Sequence, residues 1–133
     1  NIVNAVRGFA KGKVITLFGC GGDRDKSKRP KMGKVAVEKS DYVIVTSDNP
    51  RTENPSDIIS DIIEGMKGYE KKYTVIENRF EAIKYALSIG GEGDVIILCG
   101  KGHETYQILK DKTIEFDERS IVKEILEGKK WWN

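Results

Sequence analysis

Tyr42-Val43-Ile44-Val45-Thr46-Ser47-Asp48-Asn49-Pro50-Arg51 is the stretch on which the fold is read. Its first five residues form a short, β-branched apolar run that predicts a buried strand. The run breaks into Asp48-Asn49-Pro50-Arg51, which is turn chemistry. The same four residues place an amide and a guanidinium at the edge of a sheet. A guanidinium is a planar fork of donors that matches a carboxylate. Taken alone, the tetrapeptide is either an ordinary turn or a grip for a small anion.

Working outward, the same kind of run recurs at Val14-Ile15-Thr16-Leu17-Phe18, Tyr73-Thr74-Val75-Ile76 and Val95-Ile96-Ile97-Leu98. Helical patterns separate these strands. Val3, Val6 and Ala10 line one face of a first helix. Pro30 suits the first turn of a second, which runs to about Lys39. Asn54-Pro55 predicts a capped start for a third, carrying Ile58, Ile59, Ile62, Ile63 and Met66 and ending at Gly68. Asn78 caps a fourth, with Phe80, Ile83 and Leu87, closed by Gly90. Residues 106–109 and 113–116 predict a hairpin. Asp117 then caps a last helix with Ile121, Val122, Ile125 and Leu126.

This alternation predicts an α/β, Rossmann-like fold: a mostly parallel sheet with helices on both faces and a C-terminal antiparallel hairpin edge. The 133 residues fit one domain, 1–133, with one core. In such sheets ligands bind beyond the carboxyl ends of the strands. Three loops fall there: 19–29, 47–52 and 99–104.

The overall charge is only +2, which gives no global drive toward nucleic acid or membrane. The positive charge is local: Arg24, Lys26, Lys28, Arg29, Lys31 and Lys34 stand against Asp23 and Asp25. No aromatic platform for nucleic acid lies beside that segment. No apolar run has membrane-spanning length. Two cysteines, Cys20 and Cys99, make no disulfide framework, so a reducing cytoplasm is expected. The chain opens on Asn1, without a Met and inside a helical pattern, which points to a fragment of something longer.

Each loop carries chemistry. Gly19-Cys20-Gly21-Gly22 follows the first strand, where backbone N–H groups can approach a ligand. It is not a dinucleotide fingerprint, because Arg24 stands where a third glycine is needed. No Gly-Lys-Ser/Thr phosphate loop occurs in the chain. The basic segment after it reads either as a solvated loop or as an anion site shared with another domain. Gly100-Lys101-Gly102-His103-Glu104 allows a tight turn, with Glu104 able to accept from an ammonium group. His103, the only histidine, lacks the further ligands a metal site needs. Arg24 and Arg51 for carboxylates and Glu104 for an ammonium suit a zwitterionic amino acid. No nucleophile–base pair accompanies them. Residue chemistry stops at a small amino-acid-like ligand.

Gly-Cys-Gly-Gly-Asp-Arg-Asp-Lys at 19–26, Asp-Asn-Pro-Arg at 48–51 and Gly-Lys-Gly-His-Glu at 100–104 together resemble the C-terminal domain of the Mur ligase family. The similarity is greatest to the branch that adds the third residue of the peptidoglycan stem, and it runs from about Val3 to Leu126. The resemblance implies the last of three cytoplasmic domains, with the UDP-sugar and ATP domains missing. It implies ATP- and Mg²⁺-dependent amide formation, the cofactors being bound mainly outside this fragment. There ATP phosphorylates the terminal carboxylate of UDP-MurNAc-L-Ala-D-Glu, and an amine displaces phosphate. Arg24, Asp48, Asn49, Pro50, Arg51, Gly100 and Glu104 would bind the incoming amino acid. The Asp-Asn-Pro-Arg form goes with meso-diaminopimelate, whose far carboxylate Arg51 would pair with. Lys26, Lys28 and Arg29 would face phosphate oxygens across the domain cleft. Addition of lysine, or a stand-alone non-catalytic binding module, are the alternatives.

Overall fold

The computed structural model describes residues 2–8, 10–99, 106–108, 113–115 and 118–132. Strands β1 (Val14–Phe18), β2 (Tyr42–Val45), β3 (Tyr73–Val75) and β4 (Val95–Leu98) form one sheet in the order β3-β2-β1-β4. Every pairing is parallel; in register, Leu17 lies between Ile44 and Leu98. All five residues of β1 are buried, as a strand covered on both faces requires.

Helices cover the two faces. Phe18, Val43 and Val45 pack with Ala36 and Val37 of α2 (Lys28–Lys39) and with Ile58, Ile59 and Ile62 of α3 (Pro55–Glu64). Val14 and Ile97 take Val3 of α1 (Ile2–Arg7) on that same face. Ile15, Leu17 and Ile44 point the other way, onto Ala82, Ile83 and Ala86 of α4 (Arg79–Ile89). Ile121, Val122 and Ile125 of α5 (Glu118–Trp132) close that layer.

Local rules account for the helix starts. The Asn54 side chain accepts from Ser56 N–H at 3.0 Å with Pro55 at the first helical position, and Asn78 accepts from Glu81 N–H at 2.9 Å. Helix α2 begins at Lys28, which puts Pro30 in its first turn as expected, where the N–H groups lack intrahelical partners. The basic segment is therefore half helix. Two placements differ from expectation. Helix α3 ends at Gly65, not Gly68, and α2 crosses there: a side chain at position 65 would meet the Pro30 carbonyl oxygen at 1.8 Å. Finally, β5 (Tyr106–Ile108) and β6 (Thr113–Glu115) pair antiparallel in a two-stranded sheet of their own. The expected hairpin edge on the main sheet is not supported: among the described residues neither strand hydrogen-bonds to β3 or β4.

Because β2 and β4 flank β1, the chain leaves β1 toward one side of the sheet and returns from β3 to the other. The carboxyl ends of β1 and β4 thus border the switch point where such folds bind ligands.

Candidate functional site

Backbone hydrogen bonds carry the sheet ladder beyond its strands and fix the loop after β2. Thr46 N–H donates to Phe18 O at 2.9 Å and Ser47 N–H to Glu77 O at 3.2 Å. Ser47, Asp48, Asn49 and Pro50 are buried, and Arg51 is the first residue to emerge, half-buried. Arg51 has φ +52°, the left-handed region, which a non-glycine residue holds only where its surroundings over-determine it. Its Nη1 donates to Gly22 O at 3.1 Å and to Asn49 O at 3.3 Å. Among the described residues, all its hydrogen bonds leave from that one nitrogen, and none from Nε or Nη2.

The loop after β1 docks onto this turn. Gly22 N–H donates to Asn49 O at 2.9 Å. A side chain at position 22 would meet the Pro50 carbonyl oxygen at 1.8 Å. This glycine therefore brings two loops together; exposing backbone donors to a ligand is not its role. Asp23, also left-handed at φ +56°, accepts from Thr52 Oγ1 at 2.7 Å. Asp25 accepts from Ser27 N–H and Oγ–H at 2.9 and 2.7 Å, and these bonds hold its carboxyl below the usual range.

The Arg51 guanidinium and the aliphatic stem of Arg24 both lie beside Gly21. The point a Gly21 side chain would occupy lies 2.9 Å from Arg51 Nη1 and 3.6 Å from Arg24 Cγ. Arg24 is exposed, and its Nη1 donates to Asp23 O at 3.1 Å. A cavity of about 380 Å³ is bounded by Gly21, Arg24, Asp25 and Lys28, and Arg51 is not in its wall; the volume is in the range of small-ligand sites. A larger groove, about 420 Å³, lies between α1 and α2. Its walls are mostly apolar, with Val3, Phe18, Met32 and Val35, and Lys28 and Lys31 also line it.

Arg29 does not face a phosphate cleft. It is 1% exposed and grips Glu53 with both terminal nitrogens, at 3.1 and 2.8 Å. It also donates to Asp61 at 3.0 Å and to Gly21 O at 3.1 Å. Glu53 accepts Asp23 N–H at 2.6 Å as well. The Arg29 guanidinium, then the Asp23 N–H, hold the Glu53 carboxyl down to about 2. Lys26 and Lys28 are exposed. Cys20 is buried, and burial pushes its thiol up to about 11.

A second buried guanidinium, Arg79, also escaped sequence reasoning. Its Nε donates to Glu118 at 2.8 Å, Nη1 to Ser47 O at 3.2 Å and Nη2 to Cys99 O at 2.7 Å. It thus ties the ends of β2 and β4 to the start of α5. Both arginines occupy the first turn of a helix, where the macrodipole disfavours a cation. That placement was the available signal. Gly100 and Glu104 lie outside the described residues, as does His103. Among the described residues no three or more His, Cys, Asp or Glu side chains are placed to hold a metal ion. No described helix is long and apolar enough to cross a membrane.

The sequence profile described as "Mur ligase, glutamate ligase domain" matches residues 1–102. The UDP-N-acetylmuramoyl-L-alanyl-D-glutamate--2,6-diaminopimelate ligase of Clostridium perfringens is 57% identical over 97% of this chain and 26% of its own length. The ligase of the same name from Caldanaerobacter subterraneus is 61% identical over 95% of this chain and 26% of its own length. A solved structure of a ligase so named superposes with a TM-score of 0.91 at 35% identity, covering 96% of this chain and 26% of that one. The chain spans about a quarter of the length of the curated relatives it matches. It belongs to the Mur ligase family, and its matched segment is that family's glutamate ligase domain.

Proposed function

We propose that this chain is the amino-acid-binding C-terminal domain, residues 1–133, of an ATP-dependent ligase that adds meso-diaminopimelate to UDP-MurNAc-L-Ala-D-Glu. Such an enzyme works in the cytoplasm on the peptidoglycan precursor. The observation that carries this reading is the Arg51 guanidinium at the end of the loop after β2, beside Gly21 and the stem of Arg24. Arg51 is held through Nη1 alone among the described residues, with the rest of its fork available for a carboxylate. The names of the relatives support diaminopimelate as the acceptor.

The chain's part in catalysis is positional. Holding the amine against an activated carboxyl group turns a bimolecular encounter into an oriented one. Gripping the acceptor by its carboxylates leaves the attacking amine directed toward its partner. The half-buried Arg51 guanidinium, left unpaired by lysine, disfavours that substrate. ATP and Mg²⁺ would be held mainly by the parts of the enzyme outside this chain, and no step through them is assigned to the described residues. Gly100 and Glu104 complete the proposed amino-acid site.

The test is Arg51→Ala in the full-length ligase. The expected result is a KM for diaminopimelate raised at least about tenfold, as loss of a charge-assisted hydrogen bond implies. The KM for ATP should stay within about twofold. Equal effects on both would remove Arg51 from the acceptor site.

A further inference from the structure

We propose that Arg29 and Glu53 are positioning residues that set the aim of Arg24 and Arg51, and through it the preference for an acceptor with a second carboxylate. This inference rests on the function proposed above. The Arg29–Glu53 unit reaches both loops at once. On one side it holds Gly21 O and Asp23 N–H, the residues that bracket Gly22 and lead into Arg24. On the other, Glu53 N–H donates to Pro50 O at 3.0 Å and so closes the turn on which Arg51 stands.

Arg51 is in the left-handed region, and its guanidinium hangs from Gly22 O. Its direction therefore depends on where Gly22 lies relative to Pro50. Gly22 is placed by its bond to Asn49 O and, through its neighbours Gly21 and Asp23, by Arg29 and Glu53. Thr52 adds a third tie, to Asp23. Lys26, 3.7 Å from Glu53 and 70% exposed, contributes little beside the buried fork. Stability alone is a weak reason for a buried ion pair, since apolar replacements often serve as well. Fixing the separation of two ligand-facing loops is a task an apolar pair cannot perform, because it accepts no N–H and donates to no carbonyl.

Asp61 supplies the control. It pairs with Arg29 from α3 and touches neither loop through any described hydrogen bond. The experiment compares Glu53→Gln, Asp61→Asn and Arg51→Ala in the full-length ligase, with diaminopimelate and L-lysine as competing acceptors. Thermal melts of each variant run alongside, and Glu53→Asp, which keeps the charge but shortens the reach, stands in if Glu53→Gln does not fold. Arg51→Ala is expected to lower the diaminopimelate-to-lysine ratio of kcat/KM. Glu53→Gln is expected to lower the same ratio about tenfold, with KM for ATP within about twofold. Asp61→Asn should leave the ratio within about twofold even if its melting point falls. If Arg51→Ala lowers the ratio and neither Glu53 variant does, the pair is structural only and the inference fails while the proposed function stands. If Arg51→Ala leaves the ratio unchanged, the carboxylate grip itself is wrong and the inference falls with it.

Discussion

Replacing Gly21 by alanine separates the ligand grip from the scaffold that carries it. The backbone at Gly21 is outside the left-handed region, so alanine fits without strain there. The new methyl would stand 2.9 Å from Arg51 Nη1 and 3.6 Å from Arg24 Cγ. Ordinary contact needs about 3.5 Å or more, so the guanidinium must retreat by roughly half an ångström or more. It is the far end of a flexible side chain, and an off-rotamer adjustment costs about 0.5–1.5 kcal/mol. A charge-assisted hydrogen bond contributes about 1.5–3 kcal/mol. Losing half of one raises the KM for diaminopimelate about three- to twelvefold, at ~1.4 kcal/mol per factor of ten. Gly22→Ala is the contrasting case. Its methyl would lie 1.8 Å from the Pro50 carbonyl oxygen and 2.6 Å from its carbon, backbone against backbone. That exceeds the usual overpacking that costs about 1–3 kcal/mol, so folding itself should suffer. The assay is phosphate release by the full-length ligase with diaminopimelate varied at saturating ATP, alongside a thermal melt. Gly21→Ala should lose acceptor affinity with a melting point lowered by only a few degrees, and Gly22→Ala should lose the fold. Gly21→Ala with unchanged diaminopimelate KM, or with every KM raised alike, would refute the placement of Arg51.

Two further outcomes follow from the buried ion pairs. Arg79→Met strands the Glu118 carboxylate and the Ser47 and Cys99 carbonyls; removing one partner of a buried pair costs about 3–5 kcal/mol, read as a fall in urea midpoint. Arg79→Lys should recover little of it, since an ammonium cannot reproduce the fork. Glu53, ordinarily near 4.5, is held down to about 2 by Arg29 and the Asp23 N–H. A depressed folded-state value makes its contribution present above about pH 4.5 and lost as pH falls through about 2. Stability of Glu53→Gln should therefore fall less steeply than wild type across that window, measured by urea unfolding at a series of pH values. Parallel slopes would place the acid sensitivity elsewhere.

The sheet was legible because β1, β2 and β4 are short β-branched runs, as strands covered on both faces must be. Asn54 and Asn78 announced their helices by local capping chemistry. The parts that were not legible depend on tertiary contact. Nothing near Gly65 in sequence reveals that Pro30 of another helix crosses it. The pairing of residues 106–108 with 113–115 was readable from composition, but which sheet they join was not. Arg29 read as one of six cations either solvated or facing an anion, because its partner Glu53 is 24 residues away. Arg79 and Glu118 are 39 apart. That the loops after β1 and β2 meet was inferred from fold logic alone; Gly22, against the Pro50 carbonyl, shows how they pack.

The most direct measurement is a crystal structure of the full-length ligase with meso-diaminopimelate bound. The expected result is a diaminopimelate carboxylate within about 2.7–3.2 Å of Arg51 Nε or Nη2, beside Gly21 and Arg24. A bound acceptor whose carboxylates lie away from both arginines, with Arg51 still bonded only to Gly22 and Asn49, would contradict it.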